Sequence, residues 1–161
     1  MGHSSSEREV QRIRTAHARR AKLTGGRYSP LHPGALYLMQ SRERALLRML
    51  RQVGFTDLSS LKILDVGCGT GGELRRFVLY GADPSNLVGV DLLSERIERA
   101  RYLSPNIRFL VGNAVGLPFH SSCFDLVLLF TVLSSILDFS VRRQVASESW
   151  RVVRPGGAII W

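Results

Sequence analysis

The chain has 161 residues, 45% hydrophobic and 22% charged, with a formal net charge of +9. That length and balance suit one globular domain whose core folds without metals or disulfides, and they exclude a disordered or fibrous chain. Apolar runs fall well short of the roughly 18 residues a membrane span needs, and Cys68 and Cys123 sit in no disulfide framework or metal-ligand spacing, which suits a reducing, cytoplasmic setting.

Residues 1–9 are Ser-rich and charged and read as a disordered tail. No apolar stretch follows the charges, so a secretory signal is not indicated. The opening MGHSSS satisfies the loose myristoylation pattern, but a plain Ser-rich end is the favoured reading. Residues 10–22 allow a helix with a thin apolar stripe of Val10, Ile13, Ala16 or His17, and Ala21, broken by Gly25 and Gly26. "RYSPLHPG" (27–34) reads as a loop with two prolines. "SRERALLRMLRQVG" (41–54) reads as a helix capped by Ser41 and ended by Gly54. Leu46, Met49, Leu50 and Val53 line its apolar face, with arginines opposite. The first 60 residues hold eleven Lys and Arg against four Asp and Glu; the rest hold eleven against nine. The basic character therefore belongs to the helical segment 10–57. It could meet nucleic acid, anionic lipid or an acidic substrate. No aromatics interleave the arginines to stack on bases, so a solvated face is preferred and nucleic acid is not favoured.

After Asp57 the pattern becomes alternating strands and helices, forming a second region, 58–161. Strands are expected at 61–66, 87–91, 107–111, 124–130 and 158–161. Helices are expected at 73–80, at 94–103 with Ser94 as cap, and from Asp138 or Ser140 through Val141, Val145, Val152 and Val153. "RPGG" (154–157) reads as the turn into the last strand. Near-continuous apolar strands in βα units predict an α/β fold, a Rossmann-like doubly wound, mostly parallel sheet with helices on both faces. The chain ends on "AIIW", inside an apolar strand. The expectation is a C-terminally incomplete domain, or an edge covered by another element.

"ILDVGCGTGG" (63–72) joins the first strand to a glycine run, and Gly67, Gly69 and Gly72 satisfy G-x-G-x-x-G. Asp91 follows Gly72 by 19 residues and can accept from a ribose diol. The pattern fits NAD, FAD or S-adenosylmethionine. Asp65, at the mouth of the strand, would repel a pyrophosphate and attract a cationic ligand; its other role would be to cap the turn. No group of residues has the spacing of a metal site.

The glycine run resembles motif I of the class I S-adenosylmethionine-dependent methyltransferases, of the type 11/25 domain group. "VGVDLLSERIERAR" (88–101), "VGNAVGLPFHSSCFDLVLLFTVLSSI" (111–136) and "RVVRPGGAII" (151–160) resemble the motifs that follow. The likeness covers about 61–161. It implies S-adenosylmethionine as cofactor and methyl transfer to a small-molecule acceptor, such as a saccharide or secondary metabolite. RNA methylation and non-catalytic cofactor binding are the alternatives. It also implies that Asp65, Gly67 and Gly69 surround the methionine part and that Asp91 binds the ribose. Leu92 would pack on the adenine, Asn113 and Ala114 would meet its edge with Leu117 nearby, and Phe130 and Thr131 would face the methyl group. Asn113 stands where the family usually has Asp, and Ser134 and Ser135 where relatives often carry histidines. No catalytic residue is assigned; Tyr28, His32 and His120 are candidates by chemistry alone. In this family, residues ahead of the first strand often fold over the cofactor, so 25–44 would be a lid or a packing appendage.

Overall fold

The computed structural model describes residues 5–21 and 29–161. These form two compact units, one of residues 5–13 and 57–161, the other of residues 14–21 and 29–56. Helix α1 (Ser5–Ala21) contributes to both. It begins at Ser5, so residues 5–9, expected as part of a disordered tail, are helical. The expected break at Gly25–Gly26 and the candidate Tyr28 lie outside the described residues.

The first unit is an α/β sheet. Strands β1 (Ile63–Val66), β2 (Leu87–Asp91), β3 (Arg108–Val111), β4 (Phe124–Leu128) and β5 (Val153–Ile160) are all parallel, in the order β3-β2-β1-β4-β5. Every residue of β1, β2 and β4 is buried. That is why these strands read as unbroken apolar runs: a parallel sheet is covered on both faces. Ile63 is level with Leu87 on one side and Leu126 on the other. The chain winds outward from β1 through β2 to β3, then returns to β4 on the opposite side. The reversal opens a crevice beyond the carboxyl ends of β1 and β4, where ligands of such sheets bind.

Helices α3 (Gly72–Leu79) and α4 (Ser94–Leu103), a single turn α5 (Val132–Ser135) and α6 (Phe139–Val152) connect the strands. Asp138 caps α6 as expected, its Oδ1 accepting from the backbone of Ser140 and Val141 at 2.9 and 3.1 Å. Ser94 does not cap α4; it is the first helical residue, and Leu93 holds the cap position. The sequence reading missed α5, since four residues carry no periodicity. Val153 belongs to β5 rather than to α6.

The "RPGG" stretch is a bulge inside β5, not a turn before it. Phe124 pairs with Val153 but Leu126 pairs with Ala158, so the bulged strand holds three extra residues. Gly156 takes φ +78°, and a Cβ at Gly157 would lie 2.7 Å from the carbonyl oxygen of Asp125. Asp125 secures the detour: Oδ2 accepts from the Lys62 amide at 2.6 Å, and Oδ1 pairs with Arg154 at 2.5 Å.

In the second unit, α2 runs from Pro33 to Gln52. Its start lies in the stretch expected as loop, and Ser41 is mid-helix rather than a cap. The proline that suggested a loop occupies the first helical position, where no N–H is needed and its fixed φ suits the helix. Leu46 and Leu50 are buried, Met49 and Val53 are exposed, and Arg42, Arg44, Arg48 and Arg51 lie on the solvent side. Residues 14–56 hold nine Lys and Arg and one acid, Glu43.

Leu126 has no exposed surface and sits on β4 between β1 and β5. Leu126→Ala should lower stability by about 2–5 kcal/mol. The reading is a lower urea midpoint with an unchanged slope.

Candidate functional site

The carboxyl end of β1 delivers the chain into residues 67–71, where three glycines adopt positive φ: Gly67 at 72°, Gly69 at 56° and Gly71 at 76°. Side chains avoid that region, which explains the composition of the run. Gly71, outside the G-x-G-x-x-G pattern, is the most confined. A Cβ there would lie 2.6 Å from the Phe109 ring on β3. Gly72, which the pattern counts, has ordinary φ and open surroundings. At Gly67 a Cβ would meet Val132 of α5 at 2.6 Å, so the loop and the turn after β4 are in direct contact.

Four of the loop's five amides are engaged within the protein. Gly67 and Cys68 donate to the carbonyl of Val90 at 2.7 and 3.0 Å, and Gly71 donates to Cys68 at 2.9 Å. Gly69 donates to Oδ2 of Asp91 at 2.9 Å, while Oδ1 of Asp91 accepts from Leu93 at 2.9 Å. Asp91 therefore joins the glycine loop to the start of α4. Asp65, on β1, is level with Gly89 of β2. Asp65 and Asp91 are 3% and 7% exposed. Their effect reaches the intervening thiol: burial, then the charges of Asp65 and Asp91, push Cys68 well above the usual cysteine range. Cys68 is thus a protonated packing group, not a nucleophile.

Leu92 is half-buried just beyond Asp91. Asn113 and Ala114 follow β3, and the Asn113 Oδ1 accepts from Val115 at 3.3 Å in a local turn. Phe130 is half-buried and Thr131 exposed after β4, Thr131 at φ +62°. Its carbonyl accepts from the hydroxyls of Ser134 and Ser135 at 3.2 and 2.6 Å. The structure thus joins Gly69 to Asp91 by a hydrogen bond and Gly67 to the neighbouring Val90 carbonyl, with Asp65 buried on the strand that leads into the loop. It puts Leu92, Asn113, Ala114 and Phe130 on segments leaving the carboxyl ends of β2, β3 and β4. His120 is exposed and precedes β4, on the amino-terminal rather than the carboxyl side of that strand. His32 is exposed at the N-cap of α2, in the other unit.

The sequence reading missed the residues that hold the loop after β3. Glu148 and Arg151, one turn apart on α6, grip Leu117 from both sides. Glu148 Oε2 accepts from the Leu117 amide at 2.8 Å, and Arg151 donates to the carbonyls of Leu117 and Phe119 at 3.0 and 2.7 Å. Arg151 also pairs with Glu148 at 2.7 Å and, as the largest influence, holds its carboxyl below the usual glutamate range. Their i, i+3 spacing was legible, but not the loop it holds. A groove of about 840 Å³ runs between α6 and β5, lined by Leu133, Trp150, Ile159 and Trp161 among others; it shares no residue with the glycine loop.

A family model described as a methyltransferase domain matches residues 63–157. The chain is 33% identical over 109 residues to a demethylmenaquinone methyltransferase of Lactococcus lactis, covering 65% of this chain and 42% of that protein. It is 31% identical over 134 residues to an erythromycin 3''-O-methyltransferase of Saccharopolyspora erythraea, covering 79% and 42%. The chain thus spans less than half the length of these curated relatives. In fold it is similar to a Haemonchus contortus phosphoethanolamine N-methyltransferase solved with phosphoethanolamine and S-adenosylhomocysteine. That match has a TM-score of 0.73 at 20% identity, over 98% of this chain and 33% of that one.

Two outcomes follow from this geometry. Gly71→Ala should cost about 2 kcal/mol or more, from the left-handed backbone and the clash with Phe109. Gly72→Ala should stay within about 1 kcal/mol of wild type, and paired thermal melts compare the two. Glu148 has its folded pKa below its unfolded one, so its contribution is complete above the unfolded value and lost as pH falls through the folded value. Urea midpoints should therefore fall more steeply with acidification in wild type than in Glu148→Gln, below about pH 4.5.

Proposed function

We propose that this chain, which belongs to the class I S-adenosylmethionine-dependent methyltransferases, moves a methyl group from that cofactor to a small-molecule acceptor. The observation that carries the reading is the chemistry of the glycine loop. Two buried carboxylates flank it, and the amides of Gly67, Cys68, Gly69 and Gly71 are already bonded within the protein. A pyrophosphate requires that no anions lie nearby, whereas an ammonium and a sulfonium favour carboxylates. Those requirements support S-adenosylmethionine over a dinucleotide.

When bound, the cofactor supplies a methyl group on a sulfonium, open to in-line attack. The chain's own residues have the tasks of binding and orientation. Asp65, Gly67 and Gly69 would hold the methionine part. Asp91 has lone pairs left after its two backbone bonds and would take the ribose hydroxyls. Leu92 would cover the adenine, with Asn113 and Ala114 at its edge and Phe130 on the methyl side. Such positioning contributes up to about 7–11 kcal/mol to a two-reactant step. A general base is required only for an acceptor that must lose a proton early. The relatives named for methylating a quinone and a macrolide sugar support a small organic acceptor, and the two free cysteines suit the cytoplasm.

A second reading, RNA methylation, draws on the one-acid, nine-base composition of residues 14–56. It calls for RNA binding that weakens steeply with salt.

Calorimetric titration with S-adenosylhomocysteine, S-adenosylmethionine and NAD tests the proposal. Wild type should bind the first two and not NAD. Asp91→Ala should lose about tenfold to a hundredfold in affinity, the worth of hydrogen bonds to a charged group. Preferential binding of NAD would overturn the reading.

A further inference from the structure

The Glu148–Arg151 grip on the loop after β3 has a counterpart at the other end of the chain. Glu9 and Arg12 of α1 have the same Glu-x-x-Arg spacing and treat the loop after β4 the same way. Glu9 Oε1 accepts from the Leu137 amide at 2.7 Å. Arg12 pairs with Glu9 through Nη2 at 2.6 Å and Nε at 3.0 Å, and donates to the carbonyl of Ser135. The carboxylate thus takes a loop N–H and the guanidinium a loop C=O. Arg142 of α6 holds the intervening carbonyl of Ile136 at 2.7 Å. Ser5 donates to Asp138 at the end of the same loop.

Glu9 is only 6% exposed. Burying a carboxylate is costly unless it is paired and hydrogen-bonded, and here both oxygens are occupied. Arg12, then the Leu137 amide, favour its ionised form against burial, leaving its pKa below the usual range. The pair is anchored by Ile13, which packs on the apolar cluster containing Leu64, Val127 and Ile136. Residues 5–13 therefore group with the sheet, apart from residues 14–56.

The held loop matters because of what it carries. Residues 131–138 begin at Thr131 in a left-handed conformation, and Val132 lies against the backbone of Gly67. Phe130 immediately precedes them. We propose that Glu9 and Arg12 are positioning residues, fixing the loop after β4 and through Val132 the glycine loop on which cofactor affinity depends. The inference rests on the methyltransferase reading for the identity of the ligand. A helix far away in sequence thereby sets the acceptor-facing wall of the site, as α6 sets the wall after β3.

The test combines hydrogen exchange with S-adenosylhomocysteine calorimetry on the full chain, for wild type, Glu9→Ala, Glu9→Gln, Arg12→Ala and Glu148→Ala. Exchange across 131–138 should rise about tenfold in Glu9→Ala and Arg12→Ala, with β1 and β4 amides still protected. The dissociation constant should rise about three- to tenfold in both. Glu9→Gln keeps an acceptor for the Leu137 amide and should recover part of each loss. Glu148→Ala should loosen 113–119 instead, which separates local positioning from general destabilisation. Unchanged exchange at 131–138 in Glu9→Ala and Arg12→Ala would overturn the proposal. So would looser exchange with undiminished affinity. Wild type that binds no S-adenosylhomocysteine would overturn the methyltransferase reading, while the exchange arm would still decide whether the pair fixes the loop.

Discussion

The site depends on one carboxylate with two backbone partners. Asp91 ends β2 and accepts from Gly69 on one side and Leu93 on the other. The preceding carbonyl, Val90, takes the amides of Gly67 and Cys68. The end of β2 is thus a template on which the glycine loop of β1 is laid. Burial of the acid is tolerated because both its oxygens are satisfied, and the loop's left-handed turns are open to it because glycines stand at those positions. Phe109, from β3, closes the underside at Gly71 and Gly89. Three adjacent strands therefore contribute to a single turn.

The walls of the crevice are irregular backbone, which needs hydrogen-bond partners wherever it is withdrawn from water. Two ion pairs supply them. Glu148–Arg151 and Glu9–Arg12 are i, i+3 pairs of a kind that stabilises a helix only slightly. Their larger consequence is outward. Each presents an acceptor and a donor side by side, matched to the N–H and C=O of a passing loop. Rigid helices thereby hold the mobile class of structure on which binding residues sit. The charge asymmetry divides along similar lines, since residues 14–56 hold most of the excess cations and the crevice holds buried acids.

Much of the sheet was legible because a doubly covered parallel strand must be apolar throughout, and β1, β2 and β4 are. Errors gathered where one residue type serves two geometries. Pro33 suggested a loop and begins a helix; Pro155 and Gly156 suggested a turn and form a bulge. Gly72 completed a pattern, whereas Gly71 is the glycine pinned by its neighbours. The Ser-rich start suggested disorder through residue 9, yet Ser5 and Glu9 find partners more than a hundred residues away.

The sequence by itself determined the alternation of strands and helices, the glycine run and the acids at Asp65 and Asp91, because periodicity and local conformational preference act over a few neighbouring residues. Only the tertiary structure decided which glycines have no space for a side chain, that four of the loop's amides are already taken, and that α1 grips the loop after β4. Those outcomes depend on distances between segments remote along the chain, and the parallel sheet order β3-β2-β1-β4-β5 is what brings them together.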